Sequence, residues 1–235
     1  MQIGAILALL EGIAPPELAD EDDRERIGLL VEGGEEVRNV CCCVDVTPKV
    51  VQQAILRRST FLVAHHNPFH DSLSVIRGYD ADLIRGLLIA NMNLYVMHTN
   101  FDRAPEGVNW TLAHLLGLNQ VIEMPMGVIG TCTLSLQEIG ERLNGPLRIY
   151  GEIEESHTLA IVGGSGFQPN LIEFAHRNGA DAFLSSELKH HVALRSSLPL
   201  LESTHYNLEA PAMRRLAEDH SWFFMETQLS CRNLR

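Results

Sequence analysis

The chain has little positive charge, few aromatic residues and no long apolar run, and each shortage excludes something. Against 30 Asp and Glu stand 18 Lys and Arg, a formal net charge of −12. A molecule of that balance repels phosphate backbones over most of its surface, which disfavours nucleic acid as a partner. A polybasic patch for a membrane surface is likewise missing. The apolar opening MQIGAILALLEGI is interrupted by Glu11. It is too short to span a bilayer and lacks the basic start of a secretory leader, so the expected setting is the cytoplasm. No C-x-x-C pair occurs: Cys41, Cys42 and Cys43 are consecutive within an apolar run, and Cys132 and Cys231 stand alone. These read as reduced, structural thiols, not as metal ligands or disulfides. Charged residues make up 20% and Pro and Gly are not in excess. With no low-complexity segment or short repeat, that composition argues against disorder.

What is present suffices for a substantial core: 235 residues, 46% of them hydrophobic, which fits one large domain or two small lobes. Ile3 to Ile13 reads as an amphipathic helix stopped by Pro15-Pro16, and Asp20 to Glu25 as a solvated turn. The continuous apolar run Val37 to Val46 reads as a buried strand. Thr47-Pro48 then opens a helix, with Thr47 as N-cap and Pro48 at the first helical position. Further strands are expected at Phe61–Ala64, Leu94–Met97, Val128–Thr133, Leu147–Ile153, Thr158–Gly163, Ala182–Leu184, Leu200–Ser203 and Trp222–Met225. Helices fall between them at Asp82–Met92, Gly107–Leu116, Leu136–Leu143, Leu171–Arg177 and Leu208–Asp219. Strands alternating with helices of this size imply an α/β fold with a largely parallel sheet. The similar rhythm of the two halves suggests two lobes, 1–126 and 127–235.

Three polar groups follow three apolar strand runs. FLVA leads to His65-His66, LYVM to His98-Thr99-Asn100-Phe101-Asp102, and LPLLEST to His205-Tyr206-Asn207-Leu208-Glu209. Loops at the carboxyl ends of parallel strands form the ligand crevice of open α/β sheets, so the groups converge if their strands are neighbours. Imidazole with carboxylate suits first-row transition metals such as Zn, Fe, Mn, Co or Ni. His205 and Glu209, four apart at a helix start, share one face and can hold a common ion. His65 and His66 are adjacent, so their side chains diverge; they serve two ions side by side better than one, with Glu209 or Asp102 as a bridge. Each group alone also reads as an ordinary polar turn. His98 and His191 are candidates to support ligands or carry protons. His70, His114, His157, His176 and His220 read as surface or packing residues, and Met124 and Met126 as core or interface. Gly163-Gly164-Ser165-Gly166 lacks the Lys-Ser/Thr of a P-loop, and a tight turn explains it better than an anion cradle.

Taken together, VDVTPKVVQQAI, FLVAHHNPFH, LYVMHTNFDRAPEGVNWTLAHLLGL, AIVGGSGF, DAFLSSELKHH and ESTHYNLE, in that order from about Ile3 to the C-terminus, resemble the Nif-three-like family, also called GTP cyclohydrolase I type two homologues. The resemblance implies two intertwined α/β lobes with mixed, largely parallel sheets and a dinuclear metal site between them. By position it implies His65, His66, Asp102, His205 and Glu209 as ligands of two divalent ions. It also implies a hexameric ring and the compact form without an inserted domain. The activity it implies is metal-dependent hydrolysis of a small molecule, with a nucleotide such as GTP as the candidate substrate; the rival expectation is a non-enzymatic metal carrier or regulatory oligomer that binds a protein or nucleic-acid partner. Three segments depart from the family pattern: Asn67 before Pro68, Asp23 to Leu29, and Ser185-Ser186-Glu187. For a triphosphate, Arg77, Arg103 and Lys189 are the scattered positive candidates.

Overall fold

A computed structural model describes residues 1–69, 73–153 and 157–227. His70 and Cys231 lie outside these residues, and the side chain of His157 is not described. In chain order the helices are α1 (Ile3–Ile13), α2 (Pro48–Leu56), α3 (Tyr79–Ile89), α4 (Thr99–Arg103), α5 (Val108–Leu115), α6 (Leu136–Arg142), α7 (Pro169–Arg177), α8 (His190–Ala193) and α9 (His205–Asp219). The strands are β1 (Gly28–Val31), β2 (Asn39–Cys43), β3 (Ser59–Ala64), β4 (Asn93–Val96), β5 (Asn119–Glu123), β6 (Val128–Cys132), β7 (Arg148–Tyr150), β8 (His157–Ile161), β9 (Ala182–Ser185), β10 (Leu200–Glu202) and β11 (Phe223–Phe224). The chain divides into two compact units, Met1–Asn100 with Met213–Arg235, and Phe101–Ala212. Among the described residues no helix is long and apolar enough to cross a membrane.

The first unit holds a five-stranded sheet in the order β1-β4-β3-β2-β11. Its pairs β11–β2, β2–β3 and β3–β4 are parallel, and β1 runs antiparallel to β4 at the edge. The expected cap forms: the Thr47 hydroxyl accepts from Val50 N–H at 3.1 Å, with Pro48 in the first turn of α2. Such a cap contributes about 1 kcal/mol. Cys41, Cys43, Val50, Val51, Leu62, Leu83, Leu87 and Leu94 form one buried cluster. Each leucine contributes on the order of 2 kcal/mol by leaving water. The cysteines are core residues, and burial pushes the Cys42 and Cys43 thiols well above their ordinary range. They are therefore poorly nucleophilic, as expected of structural thiols.

The second unit holds a six-stranded sheet, β5-β6-β8-β9-β10-β7. Only β8–β9 and β9–β10 are parallel; β5–β6, β6–β8 and β10–β7 are antiparallel. Its core includes Ile129, Ala160, Phe167, Leu171, Phe183 and Leu200, with Met124 buried and Met126 packed against them. Ser135 and Glu138 form a capping box at the start of α6. Periodicity did not anticipate β1, β5 or the short α4 and α8. β5, sequence NQVIE, is an edge strand with almost no buried side chain, so no apolar alternation marks it.

Candidate metal centre

In the first unit, β3 and β4 are parallel neighbours with Ala64 opposite Val96. Their carboxyl ends therefore release His65-His66 and Met97-His98 side by side. The ring centroids of His65 and His66 are 4.9 Å apart, and those of His98 lie 5.2 Å from His65 and 5.6 Å from His66. One ring nitrogen from each of the three lies within 4.8 Å of the others, a group that could hold a metal ion.

The other nitrogen of each ring is anchored. His65, fully buried, sets Nδ1 against the Met97 carbonyl at 2.9 Å. A carbonyl only accepts, so Nδ1 carries the proton and the lone pair falls on Nε2. His66 Nδ1 meets Asp45 Oδ1 at 2.8 Å, and His98 Nδ1 meets Asp23 Oδ2 at 2.9 Å. Carboxylates at these positions impose the same tautomer. Metal-binding histidines are commonly held this way, by an acceptor on the second nitrogen that fixes ring orientation and raises basicity.

Residues 20–25, read as a solvated turn, are exposed except for Asp23. The segment is a 3-10 helix, Glu21–Arg26, and the Asp23 side chain is only 13% exposed. Its Oδ2 also accepts from the Thr99 hydroxyl at 2.7 Å and the Thr99 N–H at 3.1 Å. Burial pushes the Asp23 carboxyl up, but the hydrogen bonds and charge of His98, with those of Thr99, outweigh it and hold it at about 2. Asn67, one of the departures from the family pattern, braces the loop after His66: its amide donates to the Arg26 carbonyl at 3.0 Å and its oxygen accepts from Phe69 N–H at 2.8 Å.

In the second unit, α9 begins at His205, so His205 and Glu209 share its first turn, with Nε2 and Oε1 2.8 Å apart. His205 Nδ1 is held by Glu187 Oε1 at 2.6 Å, the same wiring as in the first unit. Glu187 has φ +61, a left-handed conformation that a non-glycine residue keeps only when its surroundings enforce it. Glu209 is 2% exposed and Asp102, on α4, is 9% exposed. Buried carboxylates call for compensating positive charge, and this donor set of imidazoles and carboxylates fits a divalent transition metal.

The glycine loop forms the wall behind this pair. Gly164 has φ +62, and a Cβ there would sit 2.5 Å from Glu209 Oε1 and 3.2 Å from His205 Nε2. Two loop amides are committed within the protein, Gly163 N–H to Asn109 Oδ1 at 2.8 Å and Gly166 N–H to Ser185 Oγ at 2.7 Å. The Gly164 carbonyl accepts from the hydroxyls of Ser185 and Ser186. The loop is thus a buttressed turn.

The structure brings His65, His66 and His98 together because their strands are sheet neighbours. The third strand run does not join them in that sheet, since β10 pairs with β9 and β7 in the other. His191 is exposed on α8 and lines a separate cavity of ≈ 370 Å³ with Pro169, Glu173 and Arg195. His114 and His176 are exposed, and His220 stacks on Trp222 at 4.7 Å. Sequence reasoning missed the anchors Asp23, Asp45 and Glu187 and the bridging amide of Asn109. Asp45 and Glu187 carried a signal, since each lies two residues beyond the carboxyl end of a parallel strand, β2 and β9.

A family model described as Duf34/NIF3 (NGG1p interacting factor 3) matches residues 1–230. A protein of a Nostoc species named "GTP cyclohydrolase 1 type 2 homolog" is 32% identical, covering 93% of this chain and 90% of its own length. One of the same name from Pyrococcus horikoshii is 30% identical over 83% of this chain and 84% of that protein. Among solved structures, reduced HcgD from Methanocaldococcus jannaschii is 25% identical, with a TM-score of 0.83 and coverage of 95% of this chain and 96% of that one.

Proposed function

The chain belongs to the Duf34/NIF3 family, and from that premise we propose that it is a cytoplasmic metal-dependent hydrolase using two divalent ions held by His65, His66, Asp102, His205 and Glu209. The observation that carries this reading is the common wiring of the imidazoles. His65, His66 and His205 each have Nδ1 anchored, by Met97 O, Asp45 and Glu187, which leaves the Nε2 lone pair to bind a metal. When bound, such ions supply Lewis acidity and activate water near neutral pH. His98, oriented by Asp23, is placed to take up and release protons beside His65 and His66. Asn67 and Glu187 keep the flanking loops in position. The name borne by the relatives supports hydrolytic chemistry on a ring carbon.

A polyphosphate is a poor fit for this site. The cavity at His98, ≈ 440 Å³, is lined by Asp20, Glu21, Asp22, Asp23, Arg26 and Thr99. Arg77 and Lys189 are exposed, and Arg103 Nε is turned to the Pro125 carbonyl at 3.3 Å. That acidic lining favours, as the second reading, a non-enzymatic metal carrier or regulatory oligomer. Turnover of GTP or of uncharged cyclic amides by metal-loaded protein, abolished by chelation and by His98→Ala, decides for the enzyme; full metal loading with no turnover decides for the carrier.

The assembly belongs to the same proposal: a closed homo-oligomer, most simply a hexameric ring. Leu56, Val75, Leu88 and Ile89 of the first unit are exposed, and symmetric closure would cover such apolar surface. Light scattering coupled to size exclusion at two ionic strengths should give a mass near six times 26.2 kDa; a monomer at both rules out the ring.

A further inference from the structure

We infer that Asn109 is a positioning residue of the metal centre, its single amide tying the backbone of Asp102 to the glycine loop that backs His205 and Glu209. The inference rests on the metal-binding reading above and adds to it how two groups of ligands are kept in register.

Asn109 lies in the first turn of α5 and is 2% exposed. Its Nδ2 donates to the Asp102 carbonyl at 2.9 Å, and its Oδ1 accepts from Gly163 N–H at 2.8 Å. The Met126 sulfur is a further, weak acceptor for Nδ2 at 3.9 Å. Both ends of a buried amide are therefore used on backbone groups far apart in sequence, Asp102 and Gly163. A buried amide is costly unless both ends are satisfied, so these bonds constrain both segments strongly.

The loop rests on the same turn through Val108, whose Cγ1 would lie 2.4 Å from a Cβ at Gly163. Gly164, the next residue, faces Glu209 Oε1 and His205 Nε2 with no room for a methyl group. A displacement of Gly163 is therefore passed to the pair on α9, while the same side chain holds the turn that carries Asp102. Loss of the amide lets the two ligand groups drift independently. Ligand geometry matters to a few tenths of an ångström in a transition-metal site, so affinity should fall without loss of the fold.

The test is zinc affinity measured by competition with a chromophoric chelator, together with the melting temperature of metal-free protein. Asn109→Asp keeps the acceptor for Gly163 and sets a carboxylate oxygen against the Asp102 carbonyl. Asn109→Ser removes the clamp without adding charge or bulk and covers the case in which the Asp variant does not fold. Asn178→Ala, which removes an exposed amide bonded to the Phe174 carbonyl, is the control for a merely structural hydrogen bond, and His205→Ala reports on the metal reading itself. The expected result is an affinity lower by about 10- to 100-fold in the folded Asn109 variants, the range for residues that orient ligands, with Asn178→Ala unchanged. Wild-type zinc affinity in Asn109→Ser, with His205→Ala defective, overturns the inference and leaves the metal reading standing. A lower melting temperature with unchanged affinity also overturns it. Undiminished zinc binding in His205→Ala defeats the metal reading instead.

Discussion

In the first unit the imidazoles are held from behind, one acceptor each: the Met97 carbonyl for His65, Asp45 for His66 and Asp23 for His98. In the second unit His205 has such an acceptor in Glu187, but the pair it forms with Glu209 is set by one turn of helix and a glycine backbone pressed against it. The first arrangement depends on acceptors brought from other segments, two of them side chains, and should weaken in steps as those side chains are removed. The second depends on local geometry and should fail abruptly when that geometry is disturbed.

The largest effect should come from the second unit. His205→Ala and Glu209→Ala should each abolish binding at one ion, while His176→Ala, at an exposed histidine of α7, should leave metal content at the wild-type level by elemental analysis. Gly164→Ala should come next. The new methyl would meet Glu209 Oε1 at 2.5 Å in a backbone conformation with φ +62, so metal affinity should drop and stability should fall by about 1 kcal/mol from backbone strain alone. Retained affinity in that variant would show that the α9 pair does not depend on its glycine wall.

The first unit should respond more gently. Asp45→Asn should lower affinity by about tenfold, because the amide can still bond the His66 ring but no longer stabilises its metal-binding tautomer by charge. Isothermal titration with zinc would separate this graded response from the abrupt one; a collapse of binding in Asp45→Asn would erase the contrast between the units.

The smallest effect is on stability in acid. The Asp23 carboxyl, held at about 2 instead of 3.8, contributes stability that is present above pH ~4 and is lost as pH falls through ~2. The difference is about 2 kcal/mol at most, and less in practice because its partner His98 is 35% exposed. Denaturant unfolding should show the wild type losing its advantage over Asp23→Asn between those two pH values; a constant gap would show that the depressed carboxyl is not the cause.

The same contrast explains what could be read in the sequence. His205 and Glu209 stand at helical spacing after an apolar run, and His65-His66 follow another, so local periodicity points to them. The two-residue extensions of β2 and β9 to Asp45 and Glu187 are visible only once those strands are known to be parallel and central. Asp23 is 75 residues from His98, inside a run of charges that looks solvated, and no local pattern marks it. Helix α9 begins at His205 and not at Leu208 because Thr204 accepts the first turn: its hydroxyl and carbonyl receive the Asn207 N–H, and its carbonyl the Leu208 N–H. The apolar rhythm starts only at Leu208. The largely parallel pairing expected throughout describes the first sheet; in the second, short links such as the β5–β6 hairpin impose antiparallel neighbours.

The proposed function requires two metal ions, held by anchored imidazoles and buried carboxylates. Elemental analysis of protein purified without chelator and loaded with zinc or iron tests it most directly. The account predicts a plateau of two ions per chain that falls to one or fewer in His205→Ala. A plateau of one in the wild type, unchanged in His205→Ala, would contradict it.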